Sequence, residues 1–111
     1  MDDRIKRIYV PMTETAFYIL LSLQEERHGY GITQRIKTLT DGHVSIGPGT
    51  MYGTLSKMEK DGLIIPTRTE NKRKYYMITE QGREVLSVEK ARIRHLYQII
   101  EEDDNDEKNC L

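Results

Sequence analysis

Apolar residues recur at helical spacing along the first half of the chain. One segment covers residues 12–23, where Thr13 or Thr15 supplies an N-cap. A second segment follows the turn-forming residues 28–31 and ends at residues 41–42. Short amphipathic helices are not stable alone, so we expect these two to pack with a third into a compact core of three helices.

The third predicted helix has both of its ends marked. Pro48 suits a first turn, where a missing N–H costs nothing, and Gly62 suits the position just past the end. The apolar stripes of the second and third helices repeat at i, i+4 and i+7, and consist of Ile32, Ile36 and Leu39, and of Met51, Leu55 and Met58. The other faces of the third helix carry hydroxylated and basic residues, which a nucleic-acid groove accepts: Thr50, Tyr52, Thr54 and Lys57.

After the third helix the pattern changes to two strands around a polar turn. β-Branched and aromatic residues dominate residues 63–69 and 74–78. Pro66 restricts the first of these strands to an edge of the sheet. Tyr76 and Ile78 share one face by period-two alternation, and we expect this face to pack on the helices.

A last helix is predicted from an N-cap at Thr79 to about Ile100, with Glu80 in its first turn. A narrow apolar stripe on a long terminal helix is typical of a seam that pairs with another helix. The predicted dimerisation residues are Leu86, Ile93, Leu96, Tyr97 and Ile100.

Charge is segregated along the 111 residues, although the formal net charge is only -1. Between Arg4 and Ile100 there are 16 basic and 10 acidic residues, so the body of the chain is basic. A basic body favours a polyanionic partner. We expect the acidic residues 102–111 to be solvated and disordered. The single cysteine, Cys110, excludes a disulfide framework within the chain, and no apolar run is long enough for a membrane span, so we expect a cytoplasmic protein.

Three helices followed by a basic hairpin is the element order of a winged helix-turn-helix. The predicted fold is therefore mainly α-helical with a small β-hairpin: a winged helix-turn-helix over residues 1–79, a C-terminal dimerisation helix over residues 80–101 and an acidic tail over residues 102–111. In this architecture the third helix enters the major groove and the hairpin, or wing, follows the phosphates. The basic residues at the proposed wing tip are Arg68, Lys72, Arg73 and Lys74.

The ordered motifs resemble those of the PadR-like transcriptional regulators. The resemblance covers roughly residues 13–97 and rests on residues 28–32, residues 47–52, residues 58–64 with Leu55 before them, and residues 73–83. It implies a DNA-binding winged helix, a C-terminal dimerisation helix and a repressor that a small molecule relieves. The short length is similar to that of the compact subfamily with one C-terminal helix.

The resemblance also implies which residues face DNA. These are Thr50, Tyr52 and Gly53 on the third helix, Tyr30 at the start of the second, and the wing basics. Together with Thr54 and Lys57 they form the candidate DNA-binding set. Some compact members bind flat aromatic drugs with a tryptophan on the last helix; this chain has no Trp, and Tyr97 is the aromatic residue of that helix. The implied partners are a pseudo-palindromic DNA operator, a second copy of the chain and a hydrophobic or aromatic effector.

Other interpretations of these residues stay open at the level of sequence. Tyr30 and Tyr52 could equally be residues that pack within the protein and do not contact DNA. The basic residues of the wing could form an ordinary solvated hairpin tip. A winged helix that binds a protein, or a small-molecule-binding dimer whose DNA role is vestigial, would share the same pattern. The three histidines do not form a metal- or base-type pair, so we expect no enzyme, no metal and no cofactor.

Overall fold

The secondary structure follows the predicted order, with an additional helix at the start. The structure, a computed structural model, describes residues 2–109, and side chains as far as residue 106. Within this range the elements are α1 (Asp3–Tyr9), α2 (Glu14–Ser22), β1 (Arg27–His28), α3 (Gly29–Leu39), α4 (Pro48–Lys60), β2 (Ile64–Glu70), β3 (Arg73–Ile78) and α5 (Glu80–Asn109). None of these helices is long and apolar enough to cross a membrane.

Side-chain caps and terminal residues mark where the helices begin and end. Thr13 Oγ1 accepts a hydrogen bond from the Ala16 N–H at 3.1 Å, and Thr79 Oγ1 accepts one from the Gly82 N–H at 3.0 Å. The predicted caps of α2 and α5 are thereby confirmed. α4 begins with Pro48, as predicted, and Gly62 follows its end with a φ of +77°.

The core is formed by the apolar stripes of α2, α3 and α4 together with the sheet. Met51, Leu55 and Met58 are buried, as their spacing predicts. Leu39 is 41% exposed, so its assignment to the core stripe is wrong, because it is the last residue of α3 and projects beyond the packed part of the helix. Residues 29–31 belong to the first turn of α3, since His28 caps the helix before them.

The helix α1 was not predicted. Asp2 caps it by accepting from the Arg4 N–H at 2.8 Å, and its residues Ile5 and Tyr9 are buried at i, i+4 spacing. Tyr9 also donates its hydroxyl hydrogen to Asp61 Oδ2 at 2.7 Å, at the C-terminal end of α4. The seven residues of α1 are therefore held by the body of the protein.

The Tyr9–Asp61 hydrogen bond gives the folded protein an expected pH dependence. Burial, and then the hydrogen bond to Asp61, raise the pKa of Tyr9 above its ordinary value. The stability from this interaction is fully present below the unfolded pKa of about 10 and is lost as the pH rises above it. Tyr9→Phe is expected to cost about 1–2 kcal/mol near neutral pH, and the gap from wild type should narrow above about pH 10.

Urea unfolding of both proteins at pH 8 and at about pH 11 measures this gap. Both proteins keep Arg4, whose Nη2 lies 3.5 Å from Asp61 Oδ1. The contact between Arg4 and Asp61 is therefore common to both and does not cause the difference in stability. An equal difference in stability between wild type and Tyr9→Phe at both pH values would contradict the role of the Tyr9–Asp61 hydrogen bond.

The three strands form one antiparallel sheet in the order β1-β3-β2. Pro66 lies in the edge strand β2, as predicted, and Tyr76 and Ile78 of β3 are buried against the helices. The two-residue strand β1, which was not predicted, pairs Arg27 with Tyr76 and His28 with Tyr75. This pairing brings the start of α3 next to the wing.

The terminal helix α5 has two different halves. Its first half contributes Val85, Leu86 and Glu89 to the buried interior, whereas residues 93–106 are mostly exposed. The helix continues to Asn109, whereas the sequence predicted a disordered tail from residue 102; residues 102–109 contain no Gly or Pro that would end the helix earlier. The prediction for Cys110 and residue 111 falls outside the described residues.

Candidate nucleic-acid interface

The solvent-facing side of α4 carries the residues predicted to contact DNA. Thr50, Tyr52, Gly53 and Lys57 are exposed and Thr54 is half-buried, because the apolar stripe of α4 faces the core. An added Cβ at Gly53 would meet nothing within 4 Å. A glycine inside a helix often allows another part of the backbone to approach closely. No described residue of the protein approaches Gly53 in this way, so α4 has an open surface at this position.

The predicted α4 residues face two different depressions. Thr50, Gly53, Thr54 and Lys57 line a groove that α1 and α2 close on the other side. Tyr52 instead lies in a cleft of about 400 Å³ between α3, α4 and the wing. The candidate DNA-binding residues in this cleft are Tyr30, Tyr52, Lys72, Arg73 and Lys74.

Tyr52 is oriented by the start of α3. Its ring rests on Gly29, where an added Cβ would lie 2.9 Å from the Tyr52 hydroxyl oxygen. Gly29 is buried, while Tyr52 and Tyr30 are 57% and 60% exposed. Both tyrosines therefore present most of their surface to solvent and are not core residues.

Lys72 and Arg73 form the tip of the wing. Asn71 and Lys72 have φ values of +51° and +64°, which is the backbone of a two-residue hairpin turn. A positive φ is common for Asn but costly for Lys, which lacks a side chain that bonds locally. Glycine would adopt this backbone conformation at a lower cost. The presence of Lys72 instead is consistent with a role of its ammonium group in binding.

Two of the four predicted wing cations already have partners within the chain. Arg68 pairs with Glu26, at 2.7 Å, and with Glu70. Lys74 Nζ lies 3.3 Å from Glu59 Oε1. The hydrogen bond between Arg68 and Glu26 lowers the pKa of Glu26 and raises that of Arg68. Lys72 and Arg73 are therefore better placed for an external anion than Arg68 and Lys74.

An aromatic and basic cluster surrounds His28, a residue that the sequence-based site did not include. The His28 ring is stacked on Tyr30 at 6.4 Å between centroids and meets the edge of Tyr75 at 5.0 Å. Arg73 lies over Tyr30, with Nη1 3.3 Å from His28 Nε2. The position of His28 before Gly29 and Gly31 signals a helix start, but only the β1–β3 pairing places it beside Arg73.

The family of the chain is decided by its sequence profile. The profile of the transcriptional regulator PadR-like family matches residues 19–88, more than half of the chain. This chain belongs to that family. The resemblance and the winged-helix fold predicted from the sequence are thereby confirmed.

Comparison with other transcriptional regulators shows how far the similarity extends. A transcriptional regulator from Clostridium thermocellum matches with a TM-score of 0.68 and 26% identity, over 92% of this chain and 96% of that chain. A PadR-like transcriptional regulator from Bacillus cereus has a TM-score of 0.65 and 29% identity, over 79% and 88% of the two chains. The transcriptional regulator YqjI of Escherichia coli is 30% identical over 70 residues, which are 63% of this chain and 34% of that protein. This chain therefore matches only about a third of YqjI.

The predicted dimerisation residues differ in their accessibility within one protomer. Leu86 is 3% exposed and belongs to the hydrophobic core, so its assignment to the dimer seam is wrong: the first half of α5 packs on α2. The remaining residues are exposed, and Ile99 extends the same apolar surface. We call this surface the α5 seam; it consists of Ile93, Leu96, Tyr97, Ile99 and Ile100.

Proposed function

We propose that this PadR-like chain is a sequence-specific DNA-binding repressor that acts as a homodimer and is relieved by a small molecule. One observation carries the proposal: Tyr30 from α3, Tyr52 from α4 and the wing tip line a single cleft on the face where α4 is exposed. A winged helix places α4 in the major groove and the wing on the adjacent backbone. The cleft joins the two surfaces that must touch DNA together.

The electrostatics of this face support duplex DNA as the partner. Lys72 and Arg73 lie at the wing tip and line this cleft, while Lys57 and Lys60 lie in the last turn of α4, with Lys57 in the groove that α1 and α2 close. The carboxylates of Glu26, Glu59 and Glu70 also reach the wing, but they pair with Arg68 and Lys74 and leave Lys72 and Arg73 without an acidic partner in the described residues. A positive face with solvent-exposed tyrosines suits phosphates and base edges.

A gel shift with the DNA upstream of the protein's own gene tests the proposed function. Nonspecific duplex in excess serves as competitor at moderate salt. A shift that survives the competitor is the expected result. A protein-binding module, or a dimer with a vestigial DNA role, would give no sequence-selective shift, and that result would overturn the proposal.

A second copy of the chain is the proposed partner of the α5 seam. Exposed apolar residues at helical spacing on a helix of 30 residues, about 45 Å long, are typical of helix pairing. The two α4 helices of the dimer would then read half-sites about one DNA turn, roughly 34 Å, apart.

Charges placed on the α5 seam are expected to separate the dimer. Leu96→Glu with Ile100→Glu puts four carboxylates into a symmetric contact, which is unfavourable without compensating cations. Light scattering after size exclusion should change from the dimer mass to the monomer mass. Gln98→Glu with Asn105→Glu adds the same number of carboxylates on exposed positions of α5 outside the seam, and should leave the dimer intact. A dimer mass for the first variant would show that another surface pairs the chains.

The proposed effector site lies next to the α5 seam. A pocket of about 300 Å³ between α2 and α5 has an apolar and aromatic side and a charged side; it is lined by Met12, Phe17, Tyr18 and Ile93 and by Glu14, Glu89 and Arg92. A hydrophobic or aromatic ligand bound here would contact the helix that pairs the two copies. Such a ligand need favour one separation of the α4 helices by only a few kcal/mol to change operator occupancy.

A further inference from the structure

His28 faces two hydrogen-bond donors at once. Its Nδ1 accepts from the Gly31 N–H at 3.2 Å and so caps α3, while its Nε2 lies 3.3 Å from Arg73 Nη1. A neutral imidazole offers one lone pair and one N–H, and a guanidinium offers donors only. One neutral ring cannot accept from both.

The cap decides which nitrogen carries the hydrogen. The direction of the Gly31 N–H is fixed by the peptide plane, so Nδ1 must be the acceptor, whereas the Arg73 guanidinium can rotate. The neutral ring therefore has its hydrogen on Nε2. Burial, followed by the charges of Arg73 and Arg68, lowers the pKa of His28, which favours this neutral form. As a result, the N–H of His28 and an N–H of Arg73 converge on the same space and both need an acceptor.

The chemistry of the acceptor follows from what surrounds this space. The carboxylates that reach the wing already pair with Arg68 or Lys74; they are Glu26, Glu59 and Glu70. The space opens into the cleft that Tyr30, Tyr52 and the wing tip line. We infer that His28 and Arg73 together hold one phosphate oxygen of the DNA backbone, with His28 donating from Nε2 and Arg73 from Nη1. This inference rests on the proposed DNA-binding function and adds His28 to the residues that contact the DNA.

Two substitutions separate the cap from the phosphate contact. In His28→Asn the amide oxygen takes the place of Nδ1, so the cap of α3 is kept and the donor is removed. In His28→Gln the amide nitrogen reaches the position of Nε2, so the donor is kept and the cap is weakened. If His28 only capped α3, His28→Asn would leave DNA binding unchanged. If His28 donates to a phosphate, His28→Asn weakens DNA binding.

The measurement is affinity for a nonspecific duplex at low salt and for the upstream DNA, because a phosphate contact does not depend on sequence. Hydrogen bonds to charged groups are strong, so His28→Asn is expected to weaken both by roughly tenfold, with the urea midpoint unchanged. His28→Gln should bind within about threefold of wild type, with a lower urea midpoint. Arg73→Gln should lower the slope of log K against log salt by about one unit for each protomer that contacts the duplex.

A double-mutant cycle checks that the two donors share one oxygen. The combined His28→Asn and Arg73→Gln variant should lose less affinity than the product of the two single losses. Independent effects would overturn the shared contact, and so would wild-type affinity of His28→Asn.

The outcomes also keep this contact apart from the proposed function. Selective binding of the upstream DNA with no effect of His28→Asn would refute the contact alone. Nonspecific binding that depends on His28, without any selective shift, would refute the regulator and leave the contact standing. Failure to bind any duplex would refute both.

Discussion

Replacing both Lys72 and Arg73 by glutamate is expected to weaken DNA binding on the order of a hundredfold, whatever the DNA sequence. These residues form the tip of the wing. Arg68 and Lys74 form ion pairs with Glu26 and Glu59, whereas the cationic groups of Lys72 and Arg73 do not pair with these two carboxylates. For every phosphate that a wing no longer neutralises, the slope of log K against log salt should fall by about one unit. Affinities measured by fluorescence anisotropy at several salt concentrations give both quantities.

A variant with the same change in net charge controls for long-range electrostatics. Arg83→Glu with Arg94→Glu places the charges on exposed positions of α5 that line neither of the two depressions formed by the candidate DNA-binding residues. This variant is expected to keep most of the wild-type salt slope. If the two double variants reduced the slope equally, the wing would have no specific role in contacting phosphates.

Gly82→Ala is expected to destabilise the protein by about 3 kcal/mol. A Cβ at this position would overlap the carbonyl oxygen of Leu63 and lie 2.7 Å from Ile78 Cγ1. The Leu63 carbonyl cannot move freely, since it accepts a hydrogen bond from the Thr79 N–H at 3.0 Å. The first turn of α5 would have to separate from the start of the wing.

Urea unfolding measures this loss, with an unchanged m-value showing that only stability has changed. Gly53→Ala is the matched control, because it adds the same methyl group to a helix but meets open space. It should raise stability by up to about 1 kcal/mol through helix propensity. Equal effects of the two substitutions would show that the close approach at Gly82 does not exist in solution.

Local signals account for the parts of the fold that the sequence predicted correctly. The spacing of Met51, Leu55 and Met58 identified the buried face of α4, and Thr79 identified the start of α5. Such features depend on residues within one or two turns of each other, so a single chain contains all the information. The same holds for Pro66, whose missing N–H alone restricts a strand to an edge.

The errors arose where the outcome depends on residues far apart in the sequence. Leu86 has the periodicity of a seam residue, but packing against α2 buries it in its own protomer. His28 needed the pairing of β1 with β3 before its neighbour Arg73 could be recognised. The outcome at each position was decided by a tertiary contact.

Asp61 gives the DNA-facing helix a mechanical connection to both ends of the chain. Its carboxylate holds Tyr9 of α1, and its backbone carbonyl accepts from Gln81 Nε2 of α5 at 2.9 Å. A change in the tilt of α5 therefore pulls directly on the C-terminal end of α4. A shift of α1 or of the first turn of α5 would be transmitted to the C-terminal end of α4 at Asp61, together with Gly62 and Leu63, which accept hydrogen bonds from Thr79.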